Sequence, residues 1–513
     1  MDATLYELFS AASLLFICMI VALFLYITAL TAWVHHKYDH LPGPKRTSFY
    51  LGNVSGLRSD DSDFEDKDKR KLKVLRSIRF SEWAELYGDT YVFFFLHHAL
   101  VYTQSAEAIK TVLITGDQEN FHKTPEIVVR FLYGERCMGD GLATAVDHGE
   151  WYKRRKIMDP LFHRNQLLLS VDAFNSTGDQ LIEELHGYAE SGETFKFNPI
   201  LHLTTLDVIM KVMFSIDSRN LASDFHQASK NFAEVMFDGV QKTHYPLAKY
   251  NPYFYNHRKK VRSTVKSFRS VGAKLINERR TAILNGEHVP TDFLTTMVKA
   301  SLEESSTYTF DVMLDEFLTI IVAGMETSAN TLAFVFLELG RRPDLVDRLV
   351  HEVDDVVGKK AFVSNEDITK FSFMTTLIKE SLRFYPPATG IVRGVRDESI
   401  LDGLRIPAGS RLLISLFGAN RHPKYLEDAD KFNPDRFDSS QGNRVPVSSF
   451  TSFSLGARNC IGQVFAQMEM KVVLAKFFQH FEFKLDESEN FEIGQSATLH
   501  PLSGLKCTVK VRA

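Results

Sequence analysis

Cysteine is scarce: the 513 residues hold four, Cys18, Cys137, Cys460 and Cys507. They form no C-x-x-C pair and no disulfide rhythm, which excludes a stapled extracellular scaffold and points to a reducing compartment. A basic excess is also lacking. Sixty Lys and Arg face 64 Asp and Glu, a net charge of −4, so the balance suits no nucleic acid. Charge is missing altogether from Leu8 to Val34, a nearly continuous apolar run. At a rise of 1.5 Å per residue, about 20 such residues cross a hydrocarbon core. Asp2 and Glu7 precede the run; His35, His36, Lys37, Lys45 and Arg46 come after it. The positive-inside bias places the C-terminal body in the cytosol. A basic leader is absent and the run is too long for a secretory signal peptide. Two glycosylation triplets, Asn53-Val-Ser55 and Asn175-Ser-Thr177, would then face the cytosol and stay silent.

What is present beyond the anchor is organised by pattern. Leu41-Pro42-Gly43-Pro44 reads as a stiff, non-helical hinge, because proline lacks the amide donor a helix needs. Residues 56–72, with Lys67-Asp68-Lys69-Arg70-Lys71, read as a charged surface loop. Residues 91–103 look strand-like. From about 150 the chain is mainly helical, with long amphipathic runs. Strand-rich patches recur at 389–415 and 480–511. Helices dominating smaller sheets give an α+β class, mainly helical.

Four stretches carry chemistry. Phe453-Ser-Leu-Gly456-Ala-Arg458-Asn-Cys460-Ile-Gly462 is a glycine-rich loop before a long helix, suited to a thiolate metal ligand shielded by Phe453. Gly456 and Gly462 allow close backbone approach to a flat cofactor, and Arg458 offers a fixed positive charge. The plainer reading is a buried cysteine in a strand-to-helix turn. Within the apolar helix Asp311–Glu338, Ala323-Gly324-Met325-Glu326-Thr327-Ser328 places an acid and an alcohol where polar groups need partners. Gly324 there costs roughly 1 kcal/mol against Ala, which hints at room for a ligand. The plainer reading is a threonine bonded to its own helix and a glutamate on a wet face. Glu380 and Arg383 share a helix face before Phe384-Tyr385-Pro386-Pro387. Trp151 and Arg155 lie four apart, within Trp151-Tyr152-Lys153-Arg154-Arg155. Lys153, Arg154 and Lys156 read either as a solvated face or as a docking patch for an acidic electron donor.

The cysteine loop resembles, at every fixed position, that of the cytochrome P-450 family of haem-thiolate monooxygenases, microsomal type. The resemblance covers almost the whole chain after Leu41. It implies an anchor at 1–38, a hinge and charged loop at 39–72 and one catalytic domain at 73–513, overriding the three domains that length alone suggests. It implies haem b held by Cys460, a buried Glu380–Arg383–Arg436 triad, propionate binding by Trp151, Arg155, Arg393 and Arg458, and proton delivery by Glu326 and Thr327. The implied partners are NADPH-cytochrome P-450 reductase, cytochrome b5 as a second donor, O2, and lipid of the endoplasmic reticulum membrane. Leu132 to Arg136, Glu326 to Asn330, Ser381 to Ala388 and Cys460 to Val473 are most similar to the cholesterol 24-hydroxylases. A sterol is therefore the expected substrate, with fatty acids or foreign compounds as the alternative. Thr389 replaces a bulky tryptophan of that branch and Met325 a histidine. Expected pocket residues are Phe131, Tyr133, Ala323, Thr327, Ala388, Thr389, Ile391 and Leu499, roofed by the stretch Phe232 to Tyr255; each apolar one could equally be core. Rival classes are a reductase-independent isomerase of the same family and a non-catalytic haem-binding membrane protein.

Overall fold

The computed structural model describes residues 2–57, 76–96, 98–125, 130–221, 225, 228, 229, 235, 249–304, 306–442, 445–495 and 497–512. The charged loop expected at 56–72 and the roof expected at 232–255 lie largely outside them.

Helix α1, Asp2–Tyr38, holds the apolar run. From Leu14 to Trp33 its large side chains are exposed apart from the half-buried Leu30, and only the last turns bury Thr31, His35 and Tyr38. The most apolar window within Ala12–Tyr38 has a mean hydropathy of 2.6, so its length and composition suit a membrane span. The last turn docks on the body. Tyr38 Oη lies 3.0 Å from Ser410 Oγ, and Lys37 Nζ donates to Ala408 O at 2.6 Å.

The Pro-Gly-Pro segment lies against the body as well. Val92 N donates to Pro42 O at 2.8 Å, and a Cβ on Gly43 would sit 2.0 Å from Val92 O. Only glycine permits that approach, so the expected hinge is pinned to a strand. Asn53 and Asn175 are both buried. Asn53 caps the same strand, accepting from Phe94 N and donating to Lys45 O; Asn175 is bonded to both N and O of Val363. Neither triplet offers a free asparagine.

The principal sheet has the order β1-β2-β10-β7-β3. Its strands are β1 Thr90–Phe95, β2 His98–Thr103, β3 Phe121–His122, β7 Gly390–Val395 and β10 Arg411–Ser415. All pairs are antiparallel except β2 with β10. Alternation along β1 splits its side chains between two clusters. Val92 and Phe94 join Val101, Leu412 and Ile414, while Tyr91 and Phe93 join Trp83 and Tyr102. The hairpin β4 Phe131–Leu132 and β5 Glu135–Arg136 precedes the helical half. Strand β6, Phe195–Lys196, pairs with β14 Lys506–Val511, which also pairs with β11 Phe481–Leu485. Hairpins β8 Ser399–Leu401 with β9 Leu404–Ile406, and β12 Ile493–Gln495 with β13 Leu499–Pro501, complete the sheets.

Among the long helices after α2 (Arg76–Tyr87), α3 is His148–Met158, α4 Val171–Ser191, α5 Phe197–Phe214 and α6 Tyr255–Leu284. Then come α7 Phe293–Ser301, α8 Phe310–Leu339, α9 Pro343–Val356, α10 Ser372–Phe384 and α11 Gln463–His480. Helix α8 starts where Thr309 accepts from Val312 N. It is apolar all round, and 83% of its most apolar window is buried, so it is a core helix although long enough to span a bilayer. Phe197 of α5, Phe336 of α8 and Phe477 of α11 meet with ring centroids 4.7–5.5 Å apart, locking three helices together.

Candidate active site

The cysteine loop is shaped by two left-handed residues, Ser454 at φ 59° and Gly456 at φ 72°. Cys460 N donates to Phe453 O at 2.8 Å, and Ala466 N donates to Gly462 O at 2.9 Å as α11 begins. Cys460 lies deep in the protein, yet its side chain is accessible, so its surface opens on interior space. Burial pushes its thiol up; the Gly462 N–H and the charge of Arg155 act the other way. The accessible sulfur fits a metal ligand better than a packed cysteine. Among the described residues no three His, Cys, Asp or Glu side chains are grouped to hold a metal ion. A prosthetic group that supplies the other metal ligands itself suits this setting.

Beyond its first turn, helix α8 is buried except around Ala323, which is exposed, with Gly324 and Thr327 half-buried. Thr327 Oγ1 donates to Ala323 O at 2.7 Å, the helix's own carbonyl. Glu326 is not on a wet face. It is buried, and Thr498 Oγ1 donates to its Oε1 at 2.6 Å. Burial pushes its carboxyl up to about 7, and the Thr498 bond moderates that rise. Gly324 corrects an expectation. A Cβ there would meet Ile209 Cδ1 at 2.2 Å, so the glycine makes room for α5 and not for a ligand.

Glu380, Arg383 and Arg436 come together. Arg383 Nε and Nη2 donate to the two Glu380 oxygens at 2.7 Å each, and Arg436 Nε donates to Oε1 at 3.1 Å. Glu380 and Arg383 have no exposed surface. Arg383 Nη1 also donates to Asn420 O at 2.9 Å. Asn420, not singled out from sequence, passes this order on: its Oδ1 accepts from Thr451 N at 2.7 Å, just before the cysteine loop. Its only sequence signal is one amide in an apolar stretch.

A cavity of about 280 Å³ is lined by His122, Lys123, His148, Arg393, Arg396 and Arg458, with other residues. Burial lowers Arg393 to about 10, and burial followed by the charges of Arg393, Arg154 and Arg155 lowers Arg458 to about 9. Lys123 is also held well below its usual value, by burial and then by Arg393 and Arg458. Cations gathered this way call for anions, so the donor set fits the two carboxylates of a haem. Lys123 was not read from sequence, because a lone lysine beside a two-residue strand carries no pattern.

Arg155 stands beside this cavity but binds the loop. Its Nη1 and Nη2 donate to Asn459 O and Oδ1 at 2.8 and 3.1 Å, and its Nε to Asp159 at 2.6 Å. Trp151 is buried, with the Arg458 guanidinium 3.8 Å over its ring. Arg154 is a second correction. It leaves the solvated face, is buried, and donates to Glu316 at 2.9 Å; only Lys153 and Lys156 of that patch are exposed.

The pocket candidates separate. Ala323 is exposed, and Ala388, Thr389 and Ile391 are half-buried. Phe131 is exposed on β4, whereas Tyr133 is buried at φ 52° against Phe254. Leu499 has no exposed surface and packs in the core, with its N bonded to Pro387 O at 3.0 Å.

Glu469 of α11 is fully buried, with the Ser328 hydroxyl as its one electrostatic support among the described residues. Burial pushes it from its usual 4.5 up to about 8. The unfolded chain loses this proton first, so stability falls as pH rises from 4.5 towards 8. Glu469→Gln should flatten that slope in denaturant titrations across this range; an unchanged slope would assign it to other groups.

Comparison with known proteins agrees with this geometry. The family model described as Cytochrome P450 matches residues 74–507. Cytochrome P450 4d2 of Drosophila melanogaster is 28% identical over 478 residues, covering 88% of this chain and 90% of its own. Human Cytochrome P450 4F12 is 25% identical, covering 90% and 89%, and rabbit Cytochrome P450 3A6 is 24% identical, also covering 90% and 89%. Among solved structures, the haem domain of cytochrome P450DA superposes with a TM-score of 0.76 at 20% identity, covering 92% of this chain and 97% of that one.

Proposed function

The chain belongs to the cytochrome P450 family of haem monooxygenases, and from that premise we propose that it hydroxylates an apolar lipid at a membrane, a fatty acid ahead of a sterol. The observation that carries the proposal is the cysteine loop itself, where an accessible thiol deep in the protein adjoins a nest of mutually repelling cations. Cys460 would ligate the haem iron, and Arg393, Arg458 and Lys123 would take the propionates. When bound, haem supplies the oxygen activation that inserts one atom of O2 into a C–H bond. Family members take electrons from a redox partner. Here NADPH-cytochrome P-450 reductase would serve, docking near Lys153 and Lys156, with cytochrome b5 as a second donor. The exposed apolar surface of α1 supports a single-pass anchor in the endoplasmic reticulum, with the body in the cytosol.

The sterol expectation gives way to its alternative. Relatives that the chain matches include several named Cytochrome P450 4 and one named Cytochrome P450 3A6, which weighs towards a fatty acid or foreign compound. Thr389, in place of the tryptophan of the sterol branch, leaves more volume. Titrating the haem absorption spectrum with lauric acid and with cholesterol tests this. A saturable spin-state change with the acid alone supports the reading; a response to cholesterol alone returns the enzyme to sterols.

Glu326, with a pKa brought to about 7, can both hold and release a proton near neutral pH. Thr327 sits on the accessible stretch in the middle of α8, beside Ala323. Thr327→Ala should keep haem yet lower product per NADPH by about tenfold, with peroxide released instead. Unchanged coupling would remove Thr327 from proton delivery.

A further inference from the structure

Glu326 has no ion-pair partner among the described residues; its carboxyl is held by one hydroxyl, that of Thr498 in the turn between β12 and β13. That hydroxyl is itself oriented. Asn330, one turn along α8, donates its Nδ2 to Thr498 Oγ1 at 3.1 Å, so the proton of Thr498 is directed at the carboxylate. Asn198 of α5 continues the cascade, its Nδ2 donating to Asn330 Oδ1 at 3.4 Å. Every bond runs one way, from Asn198 through Asn330 and Thr498 to Glu326, and such aligned chains reinforce one another. The turn is fixed from its other side too. Gln495 Nε2 donates to Thr389 Oγ1 at 2.9 Å, tying the hairpin to the segment expected to line the pocket.

We propose that Thr498 is a positioning residue for the monooxygenase reaction, holding the Glu326 carboxyl in the orientation from which it hands on protons. The proposal rests on the reading of Glu326 as the proton-handling acid. Thr498 touches no reacting atom. It acts through Glu326, with Asn330 setting the direction of its hydroxyl. An apolar residue of the same shape keeps the packing and loses the orientation.

The test uses the full-length, haem-loaded enzyme with reductase and lauric acid or cholesterol, whichever gives the spin-state change. Thr498→Val should lower product per NADPH by about fivefold, the equivalent of one hydrogen bond, and alter the solvent isotope effect on turnover. Thr498→Ser should restore both. Haem content should match the parent in all variants, with Tm lowered in Thr498→Val, where Asn330 Nδ2 loses its acceptor, and restored in Thr498→Ser. In Glu326→Gln the Val substitution should cost nothing further, because the group it positions is gone. A readout independent of turnover is the infrared carboxyl stretch of Glu326 at low pH, identified by its loss in Glu326→Gln. It should move to higher frequency in Thr498→Val and return in Thr498→Ser. If the Val variant folds poorly, Thr498→Ala serves in its place. Parent-like coupling and an unmoved band in Thr498→Val, with coupling lost in Glu326→Gln, overturn the proposal and leave the acid's role intact. Parent-like coupling in Glu326→Gln overturns the underlying reading. Additive losses in the double variant place the action of Thr498 elsewhere and overturn the proposal as well.

Discussion

Glu380→Ala should abolish accumulation of folded, haem-loaded protein. The substitution leaves Arg383, which has no exposed surface, without its carboxylate, and takes an acceptor from Arg436 and from Asn433 N. Removing one member of a buried charge network typically costs about 3–5 kcal/mol, because the remaining charge stays desolvated. Whole domains hold only about 5–15 kcal/mol of stability. The damage would also travel. Arg383 gathers the carbonyls of Asn420, Ala429 and Lys431, and Asn420 holds Thr451 at the entrance to the cysteine loop. We therefore propose that the triad acts as the frame of the thiolate loop. The measurement is haem absorbance per protein and Tm after purification. A variant with parent-like haem content and Tm would show that the frame is dispensable.

Gly456→Ala should be nearly as damaging, for a reason visible only in three dimensions. A Cβ at this position would lie 1.7 Å from Leu113 O, and that atom is backbone that cannot swing aside. The residue also sits at φ 72°, where a non-glycine residue is strained by about 1–2 kcal/mol. Overpacking adds about 1–3 kcal/mol more. Gly442→Ala provides the control. It shares a left-handed φ of 78° but has nothing among the described residues within 4 Å of the added atom, so only the backbone strain remains. The expected result is a much larger drop in Tm and haem affinity for Gly456→Ala than for Gly442→Ala. Equal losses would mean the contact with Leu113 yields freely.

The two variants show which parts of the site were legible. Glu380 and Arg383 could be paired from sequence because a helix puts i and i+3 on one face. Arg436, more than 50 residues on, was placed by resemblance alone. The glycine of the loop could be singled out because its neighbours Phe453, Arg458 and Cys460 keep fixed spacings. Asn420 and Lys123 were not legible, and Thr498, matched by resemblance as part of a substrate-facing turn, gave no sign of its bond to Glu326. Each acts on a partner far away in the chain, and a single polar residue carries no periodicity to betray it. Arg154 misled for the related reason that its helix looks uniformly basic. Burial chose Arg154 from the patch of Lys153, Arg154 and Lys156 and paired it with Glu316, a choice that depends on how α3 meets α8. Gly324 misled because a small residue marks close approach without saying whose.

Reading the chain alone was enough for the apolar N-terminal helix, the mainly helical class, the apolar run of α8 and the glycine-rich cysteine loop, since each depends on composition or spacing within one segment. Local geometry suffices for those. Only the folded molecule reveals that Pro42 is bonded to β1, that Glu326 answers to Thr498, and that cations from three distant segments share one cavity. Those outcomes depend on which surfaces exclude water together, and a charge or carboxyl takes its chemistry from what the fold puts beside it.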